Sequence, residues 1–126
     1  MPTTVEVKGR KYVVRYTSIR EAKDEPGLHI AEVELAEVGK GIVGGVSLKM
    51  NPKAETARIE WASAVPRRAG LGRAMVEAVE RDLRARGYYL VDLLAVPDSI
   101  PFWKALGYVP QAVEVPGESL EMAKRL

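Results

Sequence analysis

The chain has 126 residues, 47% of them hydrophobic, 29% charged and 6% aromatic, with eleven Gly, eight Pro and no Cys. That length predicts one domain over residues 1–126 around a single core, and the missing cysteines exclude a disulfide framework, a thiolate zinc site, an iron–sulfur cluster and a cysteine nucleophile. A lone His29 leaves no His-rich metal cluster, so no metal is expected, and a net charge of +2 is too balanced for the basic field of a non-specific nucleic-acid binder.

In chain order, Tyr12, Val14 and Tyr16 alternate with Val13, Arg15 and Thr17, which predicts a strand with one face on a core. The polar run Arg20 to Gly27 breaks the pattern. From His29, read as an edge residue at a strand start, to Val38, the apolar Ala31, Val33 and Leu35 alternate with Glu32, Glu34 and Ala36. Gly39-Lys40-Gly41 then supplies a tight turn, Ile42 to Met50 a further strand, and Asn51-Pro52-Lys53 a second turn. Thr56 to Val65 alternates again, with Ile59, Trp61, Ser63 and Val65 on one face and Arg58, Glu60, Ala62 and Ala64 on the other. Short turns between alternating runs predict an antiparallel meander.

After Pro66 the period becomes helical. Leu71, Met75, Val79 and Leu83, with Val76 beside them, form an apolar stripe, while Glu77 with Arg81 and Glu80 with Arg84 are pairs four apart on the wet side. Gly87 ends that helix. Tyr88 to Val96 is nearly continuous in apolar residues and predicts a parallel strand buried on both faces, so Arg58 to Val96 forms a right-handed crossover unit. Ser99 caps a short helix to about Leu106, Gly107 stops it, and Tyr108 to Val115 and Ser119 to Leu126 close the fold as two strands around Pro116-Gly117. The class is α/β (α+β): a mixed, mostly antiparallel sheet with one parallel pair joined by a crossover helix. No run reaches the roughly eighteen apolar residues of a membrane span, and Met1 to Glu6 lacks the apolar core of a signal peptide. A cytoplasmic chain with no membrane or nucleic-acid partner is the expectation.

The segment richest in chemistry is Val65-Pro66-Arg67-Arg68-Ala69-Gly70-Leu71-Gly72-Arg73-Ala74, between a strand and a helix. Its glycines let the backbone turn tightly and approach a ligand, and the first amides of the helix present the positive end of its dipole. Arg67, Arg68 and Arg73 add positive charge, so a phosphate or pyrophosphate suits this cradle; the plain alternative is a Gly-rich connection with solvated arginines. A P-loop would need Gly-Lys-Ser/Thr where Gly72-Arg73-Ala74 stands. A dinucleotide fingerprint would need a small residue at Met75 and an acid at a strand end, whereas Asp92 lies inside one. A carboxylate in so apolar a strand needs a partner, an arginine or a backbone amide.

Arg67-x-x-Gly70-x-Gly72 resembles the [Q/R]-x-x-G-x-[G/A] signature of the GNAT superfamily of acyl-CoA N-acyltransferases, and Phe102-Trp103-Lys104-Ala105-Leu106-Gly107-Tyr108 resembles that family's F-Y-x-x-L-G-F helix and turn. Leu120 to Leu126 is similar to the last strand of many members, and the resemblance runs from about His29 to the C-terminus. It implies a GNAT-like sheet with a splayed central parallel pair. It also implies acetyl-CoA or another acyl-CoA as donor, an amine of a small molecule or protein as acceptor, and a homodimer as one option. Coenzyme A would be held by Arg67, Arg68, Ala69, Gly70, Leu71, Gly72, Arg73 and Ala74, with Ser99, Phe102 and Trp103 alongside. Its pantetheine arm would pair with Ala62 to Val65 on one side and Leu93 to Val96 on the other, and a backbone N–H among Ser63, Ala64 and Val65 would polarise the acyl carbonyl.

Two departures stand out. Only Ser18 to Leu28, a loop or one short helix, occupies the place of the two helices that members commonly carry there, so the acceptor side is abbreviated. Trp103 stands where many members have the tyrosine that reprotonates the thiolate, and an indole N–H is too weak an acid for that. Glu60 is the leading candidate base, with a solvent-facing carboxylate as its alternative. Tyr108, Tyr88 and Ser99 remain as proton donors or pantetheine contacts, with packing beneath the last helix as the alternative for Tyr108. Glu32 and Glu34 share a face that could attract a cationic amine or simply be solvated. A catalytically weak or inactive acyl-CoA-binding module is the alternative to an acetyltransferase.

Overall fold

The computed structural model describes residues 3–64 and 70–126. Its strands are β1 (Thr3–Val7), β2 (Arg10–Glu21), β3 (His29–Glu37), β4 (Gly41–Asn51), β5 (Thr56–Ala64), β6 (Leu90–Ala95), β7 (Val109–Pro110) and β8 (Leu120–Arg125). Its helices are α1 (Leu71–Ala85) and α2 (Ile100–Ala105), the latter preceded by a 3-10 turn at Pro97–Ser99. One sheet runs β1-β2-β3-β4-β5-β6-β8-β7, antiparallel throughout except for the parallel β5–β6 pair that α1 connects.

The core lies on one face of this sheet. Tyr12, Val14, Ala31, Val33, Leu35, Val46, Leu48, Met50, Ala57 and Ile59 are buried there, each two residues from the next along its strand as the pleat requires. Against them α1 sets the predicted stripe of Leu71, Met75, Val76, Val79 and Leu83, and α2 adds Ile100 and Trp103. Among the described residues no helix covers the opposite face, which carries Arg15, Glu32, Glu34, Ser47, Lys49, Arg58, Asp92 and Glu121. The ion pairs Arg15–Glu34 and Arg58 with both Asp92 (3.0 Å) and Glu121 (2.7 Å) bridge its strands. Asp92 thus has its arginine.

Several expectations are corrected here. The chain opens with β1, whose alternation of Val5 and Val7 is too brief to stand out, and Lys8 (φ 51°) and Gly9 (φ 79°) both take the left-handed conformation in its hairpin turn to β2. Of the loop or short helix expected over Ser18 to Leu28, the loop is what forms, and it is shorter than expected because β2 runs on to Glu21. β6 is buried on one face only, Leu94 being 54% exposed, because among the described residues no element lies over the sheet's other side. The predicted strand Tyr108 to Val115 shrinks to Val109–Pro110, after which residues 111–119 run exposed; Pro110 has no N–H to extend a ladder. The Glu80–Arg84 surface pair is absent: Glu80 is buried and turned into the core, and the i,i+4 pairs that form are Arg73–Glu77 and Asp82–Arg86.

Candidate functional site

Strand β5 is the element from which the site is built. Ile59 pairs with Leu48 but Trp61 pairs with Ser47, so Glu60 is an extra residue, a β-bulge. The bulge coincides with the end of the parallel pairing, which runs Thr56↔Leu90 to Ile59↔Leu93 and no further. Strand β6 meanwhile stays with β8 as far as Ala95↔Leu120. From Glu60 to Ala64, one edge of β5 therefore has no strand partner among the described residues, and neither has the facing edge of β6 at Leu94 and Ala95. The predicted splay of the parallel pair is present, and it begins where the bulge sits.

The bulge also corrects the facial assignment made from alternation. An extra residue reverses every side chain beyond it, so Trp61 leaves the face of the buried Ile59 and joins Ser47 and Arg58 on the open side. Trp61 is 57% exposed. Glu60 reaches Lys49 at 3.3 Å, and Lys49 also binds Glu25 at 2.7 Å. These two carboxylates, Glu25 foremost, hold the Lys49 ammonium above its ordinary pKa. Glu60 thus stands at the splay, half-exposed and ion-paired.

The start of α1 carries Gly70, whose φ of +82° no β-carbon residue adopts without strain, and among the described residues no side chain caps the helix. Ala74 N–H donates to the Gly70 carbonyl, so the helix is closed from its first turn while the preceding amides carry no side-chain acceptor. Leu71 is buried in the core, and Arg73 is exposed beside Glu77. Gly72 faces α2: a β-carbon there would stand 3.4 Å from Cε1 and Cζ of Phe102. Phe102, partly exposed, therefore borders the helix start. Ser99 Oγ donates to the Val96 carbonyl at 2.8 Å and ties off the end of β6. Ser63 and Ala64 pair with Gly45 and Gly44 of β4 and lie on the stretch of β5 whose β6-side edge is unpartnered. Val65, Arg67, Arg68 and Ala69 of the expected cradle lie outside the described residues.

Two expected site residues are core residues instead. Trp103 is 7% exposed and packs edge-on against Phe102 and Tyr108, at 4.9 and 5.2 Å between ring centroids. Tyr108 is buried beneath α1, and its hydroxyl donates to Glu80 Oε2 at 2.8 Å while Lys124 Nζ donates to Oε1 at 2.9 Å. Burial first, then the Glu80 charge, pushes the Tyr108 pKa well above its ordinary value, making it a poorer acid than a free tyrosine. Tyr16 is raised in the same way, by burial and then by the neighbouring Asp82. In the unfolded chain both phenols ionise near 10.0, while in the fold they stay neutral. Their contribution to stability is therefore complete below about pH 10 and declines as the pH rises above it. A series of melts through that range should show a falling Tm, with a shallower fall in Tyr16→Phe.

The acetyltransferase (GNAT) family model matches residues 2–108. The chain belongs to the GNAT acetyltransferase family. No curated protein matches it in sequence. Among solved structures, an acetyltransferase from Bacillus cereus superposes with a TM-score of 0.67 at 24% identity, over 79% of this chain and 74% of that one. The PaiA N-acetyltransferase from Thermoplasma acidophilum, in complex with coenzyme A, gives 0.66 at 16% identity, over 77% and 61%. Ard1 from Thermoplasma volcanium gives 0.62 at 22%, over 75% and 70%. At these identities the likeness is one of fold: this GNAT chain has the mostly antiparallel sheet with one parallel, splayed pair. What sequence reasoning missed is the bulge at Glu60 and the placement of Trp61; the Gly44-Gly45 pair on β4 was its one visible trace.

Proposed function

We propose that this GNAT chain transfers an acetyl group from acetyl-CoA to an amine. The observation that carries the reading is the splay between β5 and β6, which leaves two unpaired backbone edges leading to the start of α1. An extended pantetheine arm can pair with such edges as an added strand does. The helix start, uncapped by any side chain among the described residues and bordered by Gly70 and Gly72, suits the pyrophosphate, with Arg73 in the first turn and Arg67 and Arg68 just before it in the sequence as the cations available to it. A backbone N–H of Ser63 or Ala64 is the candidate donor to the thioester carbonyl, whose oxygen gains charge as the amine attacks. Acetyl-CoA held there would supply the activated thioester. The protein's part is to hold it, exclude the sheet edge from water and orient the carbonyl.

Thermal melts with acetyl-CoA, CoA, ATP and NAD, followed by thiol release with a panel of amines, test this. Stabilisation by both CoA species alone, with amine-dependent thiol release, is expected. A second reading, an acyl-CoA-binding module without turnover, draws on the burial of both Trp103 and the Tyr108 hydroxyl, which leaves no tyrosine acid from that helix and turn at the splay. It predicts the same melting shift without thiol release.

A further inference from the structure

The uncovered sheet face beside the splay has a composition that selects among amines. On the opposite side Ile59, Leu93 and Ala95 are buried under the helices, so an acceptor approaching a thioester in the splay comes across the open face. There Glu32, Ser47 and Trp61 are register partners on three adjacent strands. Gly45 is what lets the indole lie across the sheet: a β-carbon there would stand 3.2 Å from Trp61 Cζ3 and 3.8 Å from Cη2. The ring thus rests on the bare backbone of β4 and keeps more than half its surface open.

The carboxylates of this face differ in how they are satisfied. Glu34 is paired with Arg15, Glu60 with Lys49, and Asp92 and Glu121 with Arg58. Among the described residues Glu32 has no cationic partner; its side chain accepts one hydrogen bond, from Ser47 Oγ at 3.2 Å to Oε1. Half-buried between strands and with Oε2 left over, it has the desolvation and the spare acceptor that a cation needs. It stands two strands from β5, about 10 Å from the splay edge at ordinary strand spacing, too far to touch a nitrogen reacting there.

We propose that Trp61 and Glu32 form a subsite for acceptors carrying a second positive charge, the distal ammonium on Glu32 and the aliphatic link between the nitrogens on the Trp61 ring over Gly45. This rests on the acyl-transfer reading above. The proximal nitrogen, as free base, forms the C–N bond at the thioester carbonyl as the C–S bond breaks. The thiolate takes a proton, so that acetyl-CoA and the ammonium acceptor yield CoA thiol, amide and one proton to solvent. The indole face attracts the cationic chain as well as its methylenes, and charge-assisted hydrogen bonding at Glu32 supplies the discrimination.

Hexamethylenediamine and hexylamine, which differ only in the second amine, are the probes. Thiol release should show kcat/KM about tenfold higher for the diamine, carried by KM. In Glu32→Gln the ratio between the two amines should fall to the statistical factor set by the diamine's two equivalent nitrogens. Trp61→Ala should raise KM for both, with Trp61→Phe restoring most of the loss. Equal kcat/KM for the two amines, or a ratio that Glu32→Gln leaves unchanged, overturns the proposal. Calorimetric titration of the diamine into the protein saturated with CoA reads the subsite without turnover. Weaker binding by about tenfold in Glu32→Gln supports it even if no thiol is released, in which case acyl transfer alone fails; equal binding in both proteins, or none in either, overturns it.

Discussion

Glu80→Ala is expected to destabilise the protein by about 3–5 kcal/mol, the range for removing one member of a buried charged pair. Glu80 is 6% exposed and its two oxygens bind the Tyr108 hydroxyl and the Lys124 ammonium separately. Truncation strands both donors: Lys124, partly exposed, can turn toward water, but the 2%-exposed Tyr108 cannot. A buried hydroxyl left without a partner accounts for roughly 1–3 kcal/mol of the loss. Glu80→Gln retains an acceptor for Tyr108 and should cost less. Denaturant unfolding of the three proteins checks this order, and a Glu80→Ala change under about 1 kcal/mol, the size of an ordinary surface effect, would contradict it.

Tyr108→Phe separates the structural from the chemical role of this hydroxyl. Its removal leaves Glu80 with Lys124 and should cost roughly 1.5–3 kcal/mol, the value of a hydrogen bond to a charged group. Measured below the variant's own Tm, thiol release per folded molecule should match the unmutated protein. A fall of two or more orders of magnitude, the scale of general acid catalysis, would return Tyr108 to the chemistry.

What could be read from the residues was what is local in the chain. The stripe from Leu71 to Leu83 repeats at the helical period, so α1 was visible, and the alternation in β2 and β3 was equally plain. The bulge at Glu60 was not, because an extra residue exists only relative to the strand beside it, and the register of β5 on β4 is a tertiary fact. One residue's error there carried Trp61 to the wrong face and with it the candidate acceptor subsite. Glu80 failed for a related reason. Its partners lie 28 and 44 residues away, while Arg84 one turn on offered a nearer explanation that helix geometry alone could not reject. For β6, an apolar run predicts cover on both sides, but the exposed Leu94 shows that apolar content does not reveal how many layers a sheet has.

The start of α1 offers the sharpest test of the ligand. Gly70→Asp should abolish protection by acetyl-CoA and CoA while leaving the unliganded fold near its original stability. An aspartate there sits at the positive end of the helix dipole, a favourable placement worth up to about 1 kcal/mol. That offsets the strain of a left-handed φ, about 1–2 kcal/mol and at the low end for Asp. A β-carbon there meets only Val7 Cγ1, at 3.5 Å, an ordinary contact. The same carboxylate stands beside the amides a pyrophosphate would use and repels it. At a hundredfold excess of ligand over Kd the unmutated protein gains about 2.7 kcal/mol, which the variant should lose entirely. Gly70→Asn has the same size and a similar side-chain oxygen without the charge, so it should retain part of the shift. Equal loss in both variants would point to crowding instead of charge. A full shift in Gly70→Asp would mean that the phosphates of coenzyme A do not rest on this helix, and the splay would have to hold its ligand by the pantetheine arm alone.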